Sequence, residues 1–317
     1  MMTLRTALAL PGFTMMAPTE YPSGHSTLLL RPSTRIDTFT VSMPELDNRT
    51  RTIRVHLPRG YDASTASYPV LYLQDGQQLF EPGSFGDWLV DESMDRLEDT
   101  GRLAGLIIVG IDHSDRRWDE YSPWVNRQMH AWVPTDWARP TQGGEGEAYV
   151  RFLAETLKPA VDRRYRTLPG REHTGVGGSS MGGLIALFAG LARPDVFSRV
   201  MAMSTAVWFA EDGGPWLSKN RLTSYVSAHA PKSGSRIYLD VGEQERSREQ
   251  DPDVLDAAGR PVTYPRAYAE GTSRVASALL AGGMSPDDLH LVIDPAGIHH
   301  EQAWARRLSD AVVWLFQ

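Results

Sequence analysis

The chain has 317 residues, 41% of them hydrophobic, no cysteine and a formal net charge of −7. This length suits one large α/β domain. The missing cysteine excludes disulfides, a thiol nucleophile and thiolate-bound metal, and the acidic balance argues against nucleic acid or an anionic lipid surface as partner.

Residues 1–30, with Pro11, Pro18, Pro22 and Gly24, read as an irregular tail, and residues 31–317 as a single domain. The apolar stretch near the start, residues 7–10, is short and broken by Pro11-Gly12, and no later run reaches membrane-spanning length. A cytoplasmic location without membrane contact is therefore expected, with export as the alternative.

Residues 36–43 and 51–57 alternate with period two around Asp47-Asn48, the pattern of an antiparallel hairpin. Residues 70–73 form a short apolar strand that ends in Asp75-Gly76. Residues 88–97 are helical, and 106–111 are continuously apolar, as for a strand buried on both faces. Residues 113–140 are rich in tryptophan (Trp118, Trp124, Trp132 and Trp137) and suit a cap. A helix through Tyr149, Leu153, Leu157 and Val161 follows, then a strand and a helix on either side of a glycine-serine turn, and strands at 200–203 and 237–241. A helix at 268–280, a strand at 289–293 and a closing helix with Trp304, Leu308, Val312 and Phe316 complete the chain. This order predicts an α/β fold: a mostly parallel sheet with an N-terminal antiparallel hairpin and helices on both faces.

Between a strand-like run and an apolar helical run lies Gly178-Ser179-Ser180-Met181-Gly182, a G-x-S-x-G frame centred on Ser180. Ser179 cannot be the centre, because Met181 stands where its frame needs glycine. Such a turn lifts a serine hydroxyl out of the sheet and leaves the next amide, that of Met181, at a helix N-terminus facing a developing oxyanion. A serine nucleophile needs a base, and the base needs an acid, in the chain order serine, acid, histidine. Asp240 lies inside the strand at 237–241, Glu243 and Glu245 lie in the loop beyond it, and His299-His300-Glu301 follows the last strand. A metal site built on His299-His300-Glu301 fails the helical H-E-x-x-H spacing, because Trp304 stands four residues after His300. No cofactor and no metal are expected.

Several landmarks carry a resemblance over about residues 35–317: Val70 to Gln77, Glu120-Tyr121-Ser122-Pro123, Leu157-Lys158-Pro159, Gly178 to Gly183, Ser204 to Trp208, and His299 to Trp304. The chain resembles the putative-esterase family of α/β hydrolases, which groups feruloyl and acetyl-xylan esterases, siderophore trilactone esterases, S-formylglutathione hydrolase and mycolyltransferases. The resemblance implies His299 as base, although His300 stands where the family usually has asparagine or another small polar residue. It implies Glu245, three residues after Gly242, as acid ahead of Glu243, and the amide of Gln77 as second oxyanion donor.

Trp208 beyond a strand end, with Trp118 and Trp124, is a candidate wall for flat or sugar-like groups. Arg116, Arg117 and Arg127 could meet an anionic substrate, and His113 reads as a polar loop residue. The expectation is a metal-independent serine carboxylesterase with a Ser180-His299-Glu245 triad, acting on a small-molecule ester. The alternatives are a siderophore trilactone esterase, an acyltransferase to a sugar acceptor, and a catalytically silent binding protein.

Overall fold

The computed structural model describes residues 13–15, 35–81, 86–127, 139, 141–210, 220–246, 254–255 and 261–317. In chain order the strands are β1 (Phe13–Met15), β2 (Ile36–Met43), β3 (Arg49–His56), β4 (Val70–Gln74), β5 (Ile107–Ile111), β6 (Thr174–Ser179), β7 (Arg199–Met203), β8 (Arg236–Gln244), β9 (Val254–Leu255), β10 (Pro261–Val262) and β11 (Leu289–Ile298). All but β9 and β10, which pair with each other, form one nine-stranded sheet in the order β1-β11-β8-β7-β6-β4-β5-β3-β2.

The β2–β3 hairpin pairs antiparallel, and β3 joins β5 antiparallel. From β5 across to β1 each pairing is parallel. The hairpin turns at Asp47 and Asn48, both at φ 56°, a conformation these two residue types tolerate better than most. The mostly parallel sheet expected from the element order, and the α/β-hydrolase fold that the resemblance implies, are what is observed.

Alternation along each strand sorts the core into two layers. Val70 and Tyr72 of β4, Val200 and Ala202 of β7, and Ile107 and Val109 of β5 face one layer. Leu71 and Leu73, Met201 and Met203, and Ile108 face the other. The first layer is covered by α3 (Gly146–Arg151), α4 (Lys158–Arg164), α5 (Met181–Ala192), α6 (Arg221–His229) and α7 (Tyr264–Ala281). The second is covered by α1 (Val90–Asp99) and α8 (Glu301–Phe316). A one-turn helix α2 (Arg117–Glu120) lies beyond β5. Between α3 and α4 the helix widens into a π turn, Phe152–Leu157, directly before Pro159, whose ring nitrogen has no hydrogen to continue the α pattern.

The reading of residues 1–30 as irregular needs one correction. Phe13–Met15 extends the sheet, with Phe13 opposite Leu291 and Met15 opposite Ile293. Three residues between prolines are too few for a period to register. The last strand is also longer than expected, because it continues past a register break between Asp294 and Ile298. Of the expected cap, Trp132 and Trp137 lie outside the described residues. Among the described residues no helix is long and apolar enough to cross a membrane.

Candidate active site

At the carboxyl end of β6 the backbone turns sharply at Ser180, which has φ 55° and ψ −119° and is the first residue before α5. This conformation is costly for a residue with a side chain, of order 1–3 kcal/mol, and persists only where neighbours impose it. Here the Ser180 amide donates to the Met203 carbonyl at 2.9 Å, and the Ser180 carbonyl accepts from Ala206 N at 3.0 Å and Leu184 N at 3.1 Å. The flanking glycines are steric requirements. A Cβ on Gly178 would stand 2.8 Å from the Gly182 carbonyl carbon, and one on Gly182 would stand 3.0 Å from Gln74 Cβ. Met181 opens α5, with its side chain buried. Ser179 is the last residue of β6 and is buried in the sheet.

Two strands away, β8 ends in a turn that brings Glu245 back under the sheet edge. Glu245 is fully buried, and its Oε1 accepts from the Gly242 amide at 2.6 Å and from the Ser204 hydroxyl at 2.5 Å. Its Oε2 lies 2.6 Å from His299 Nδ1. Burial would raise the Glu245 carboxyl, but the hydrogen bond and charge of His299, the charge of Arg307 and the Ser204 hydroxyl outweigh it and hold the group below its usual range. His299 reaches this position because β11 breaks register after Asp294, where Ala296 N turns back to Asp294 Oδ1 at 3.0 Å. Gly242 and Gly297 touch backbone to backbone at the break, so neither has room for a side chain. His300 instead caps α8, its Nδ1 accepting from Gln302 N at 3.3 Å. Glu243 is half-buried on the same turn, and the carboxylate facing the imidazole is that of Glu245.

The turn after β4 holds Asp75 at φ 61°, followed by Gly76 and Gln77. A Cβ on Gly76 would stand 2.7 Å from the Gly110 carbonyl carbon, so only glycine fits. Arg117 grips Asp75 through Nε at 2.7 Å and a terminal nitrogen at 2.9 Å, and His113 Nδ1 lies 2.8 Å from the same carboxylate. Burial would raise the Asp75 carboxyl, but the Arg117 guanidinium and His113 drive it far below the ordinary range. The Gln77 side chain is tied to His113, its Oε1 accepting from His113 N at 3.0 Å. Arg117 and His113 thus brace the turn that presents the Gln77 amide. Arg116 pairs with Glu145, and Arg127 is exposed.

Tyr268 on α7 was not anticipated from the sequence. Its ring packs 4.9 Å from the His299 ring, and its hydroxyl accepts from Trp208 Nε1 at 2.9 Å and lies 3.4 Å from the Tyr264 hydroxyl. Burial pushes the phenol up to about 12, with the charge of Glu245 adding to it and hydrogen bonding from Tyr264 and Trp208 opposing it. Trp208 in turn meets Trp118 at 6.2 Å between ring centroids. Trp118 lines an open cavity of about 460 Å³ with Asp115, Arg116, Arg139 and Gln142. Trp124 packs edge-on against Phe188 and Tyr225, between α5 and α6. A second unanticipated group is Arg307, fully buried and bonded to Asp240 at 2.9 and 3.0 Å and to Asp294 at 3.1 Å. An arginine on the apolar stripe of Trp304, Leu308 and Ala311 was the signal that could have found it. A cationic side chain there needs buried carboxylates.

The model of the family described as "Putative esterase" matches residues 44–315. The chain is 24% identical to the uncharacterized protein YbbA of Bacillus subtilis, over 87% of this chain and 96% of that one. It is 26% identical to the siderophore enterobactin esterase of Emericella nidulans, over 70% of this chain and 74% of that one. Among solved structures, an IroE-like serine hydrolase from Shewanella oneidensis superposes with a TM-score of 0.67 at 20% identity, covering 90% of this chain and 80% of that one. The family model runs from just after β2, through β3 and the serine turn, into the closing helix, and the chain belongs to this putative esterase family of carboxylic ester hydrolases with the α/β-hydrolase fold.

Proposed function

We propose that the protein is a serine carboxylesterase in which Ser180, His299 and Glu245 act as nucleophile, base and acid. The observation that carries this reading is the buried Glu245 carboxylate, whose Oε1 is filled by two donors and whose Oε2 faces His299 Nδ1 at 2.6 Å. Such a carboxylate keeps the proton of the neutral imidazole on Nδ1 and leaves Nε2 bare to take the Ser180 proton. Ser180 then attacks the ester carbonyl, and the Met181 and Gln77 amides hold the tetrahedral oxyanion, each worth about a hundredfold or more in rate. The imidazolium protonates the leaving alcohol, an acyl-enzyme remains, and His299 activates the water that releases the acid. No step calls on a metal or a cofactor.

Trp118 and Trp208 beside Tyr268 favour small esters with an aromatic or sugar-like group. A second reading, lactone hydrolysis of a siderophore, is favoured by the relative named as a siderophore enterobactin esterase.

A fluorophosphonate should label the protein once, at Ser180. Ser180→Ala should lose both labelling and turnover of a short nitrophenyl ester, while Ser179→Ala keeps them, with or without a chelator. Labelling at Ser179, turnover by Ser180→Ala, or strict dependence on added divalent metal would overturn the reading. Turnover of a trilactone in preference to aryl esters would select the second substrate class.

A further inference from the structure

Ser204 closes β7 at φ 42°, and its hydroxyl is fully buried at a point where three other side chains converge. Its Oγ lies 2.5 Å from Glu245 Oε1, 2.9 Å from Trp304 Nε1 and 3.2 Å from a terminal nitrogen of Arg307. The indole N–H and the guanidinium N–H can only donate, and a serine hydroxyl has one proton and two acceptor positions. Both acceptor positions are therefore filled, and the single Ser204 proton has one remaining destination, Glu245 Oε1. That oxygen also receives the Gly242 amide, which leaves Oε2 to accept from His299. The Ser204 amide is held in turn by the Asp240 carbonyl at 2.9 Å, so the hydroxyl cannot drift from its place.

We infer that Ser204 is a positioning residue of the esterase, aimed by Trp304 and Arg307, which directs Glu245 at His299 and draws off part of the carboxylate's charge. This rests on the Ser180-His299-Glu245 reading above. Donors feeding Ser204 strengthen its own hydrogen bond through polarisation. Glu245 thereby turns less negative charge on the imidazole than a bare buried carboxylate would. The other charged or titratable groups around His299 are Asp240 on β8, Asp294 on β11, Tyr268 on α7, Arg307 and Glu301 on α8, and the adjoining His300. Asp75 and Arg117 act through Glu301. None of these is changed by the substitutions that follow.

With p-nitrophenyl acetate as probe, Ser204→Ala should leave KM near the parent value and lower plateau kcat about tenfold, the scale of one hydrogen bond to a charged group. Its kcat/KM at pH 6 should fall a further threefold, about, relative to its own plateau, because a carboxylate deprived of the Ser204 proton lets His299 keep its proton to higher pH. Trp304→Phe keeps a ring against His299 and removes one donor to Ser204, so it should shift the acid limb the same way by less. An acid limb that stays put or moves to lower pH in a folded Ser204→Ala protein overturns the inference, whatever happens to kcat. Turnover surviving in Ser180→Ala or His299→Ala would instead defeat the triad reading, and those controls separate the two failures.

Discussion

Glu245→Gln is the sharpest single test of the acid assignment, because the hydrogen bonds around Glu245 dictate which way an amide would sit. The Oε1 position is met by the Gly242 amide at 2.6 Å and the Ser204 hydroxyl at 2.5 Å. The Gly242 N–H belongs to the backbone and cannot be turned round, so an NH₂ group there would face a donor. The amide oxygen must occupy that position, which places the NH₂ opposite His299 Nδ1, where the carboxylate oxygen now lies at 2.6 Å. Nδ1 then becomes the acceptor, and the imidazole proton moves to Nε2, the nitrogen needed bare to receive the serine proton. The geometry survives and the tautomer is wrong. In a triad this change costs about 10⁴ in kcat, or about 5.4 kcal/mol of transition-state stabilisation. KM should move little, since the substrate does not touch this carboxylate. Because the amide fills the same volume and carries no buried charge, thermal denaturation should stay near the parent value. The assay is steady-state turnover of a short nitrophenyl ester beside a circular-dichroism melt. A folded Glu245→Gln protein within about tenfold of the parent kcat, or a larger loss from Glu243→Gln, would refute the reasoning.

Two further outcomes test the charges behind the site. Arg307→Met leaves buried Asp240 without its cation, while Asp294 keeps Arg306 and Glu245 keeps His299, and removing one partner from a buried ion pair costs about 3–5 kcal/mol. Urea denaturation showing a loss under about 1 kcal/mol would contradict that. Burial, with Asp75 nearby, raises the Glu301 carboxyl from 4.5 to about 7 against the pull of its own amide, His299 and Arg117. The folded state therefore binds this proton more tightly than the unfolded one. Its stabilising contribution is fully present below pH 4.5 and is lost as pH rises through 7. Glu301→Gln should consequently gain on the parent between those pH values by at most about 3 kcal/mol, and by less for the solvent at its edge. Parallel stability curves for the two proteins would refute it.

The sequence was most legible where the backbone itself makes the demand. Gly178 and Gly182 are readable because the serine turn has no room for a Cβ at the first and only a tight fit against Gln74 at the second, so the frame that excludes Ser179 is a steric statement. The three-residue step from Gly242 to Glu245 has the same character. The Gly242 amide closes the turn on Glu245 Oε1, and the backbone of Gly297 forbids a side chain at 242. The strands were legible through alternation, and β1 was not, since three residues cannot show a period.

Side chains that act on other side chains left a fainter trace, because their partners are far away in the chain. Ser204 and Glu245 are 41 residues apart, Trp304 and Ser204 are 100 apart, and Arg307 and Asp240 are 67 apart. Composition and spacing along the chain do not record such meetings. What the sequence did hold was a set of landmarks without reasons: a serine after β7, and a tryptophan five residues after His299. The structure joins those two by one hydrogen bond, with the Ser204 hydroxyl bonding onward to Glu245. The Trp304 ring stands edge-on to His299 at 5.1 Å while its N–H goes to Ser204, so one indole packs against His299 and donates to the serine that bonds Glu245. A phenylalanine could do the first of these and no residue without a ring N–H could do both, which is a physical reason for tryptophan at that position.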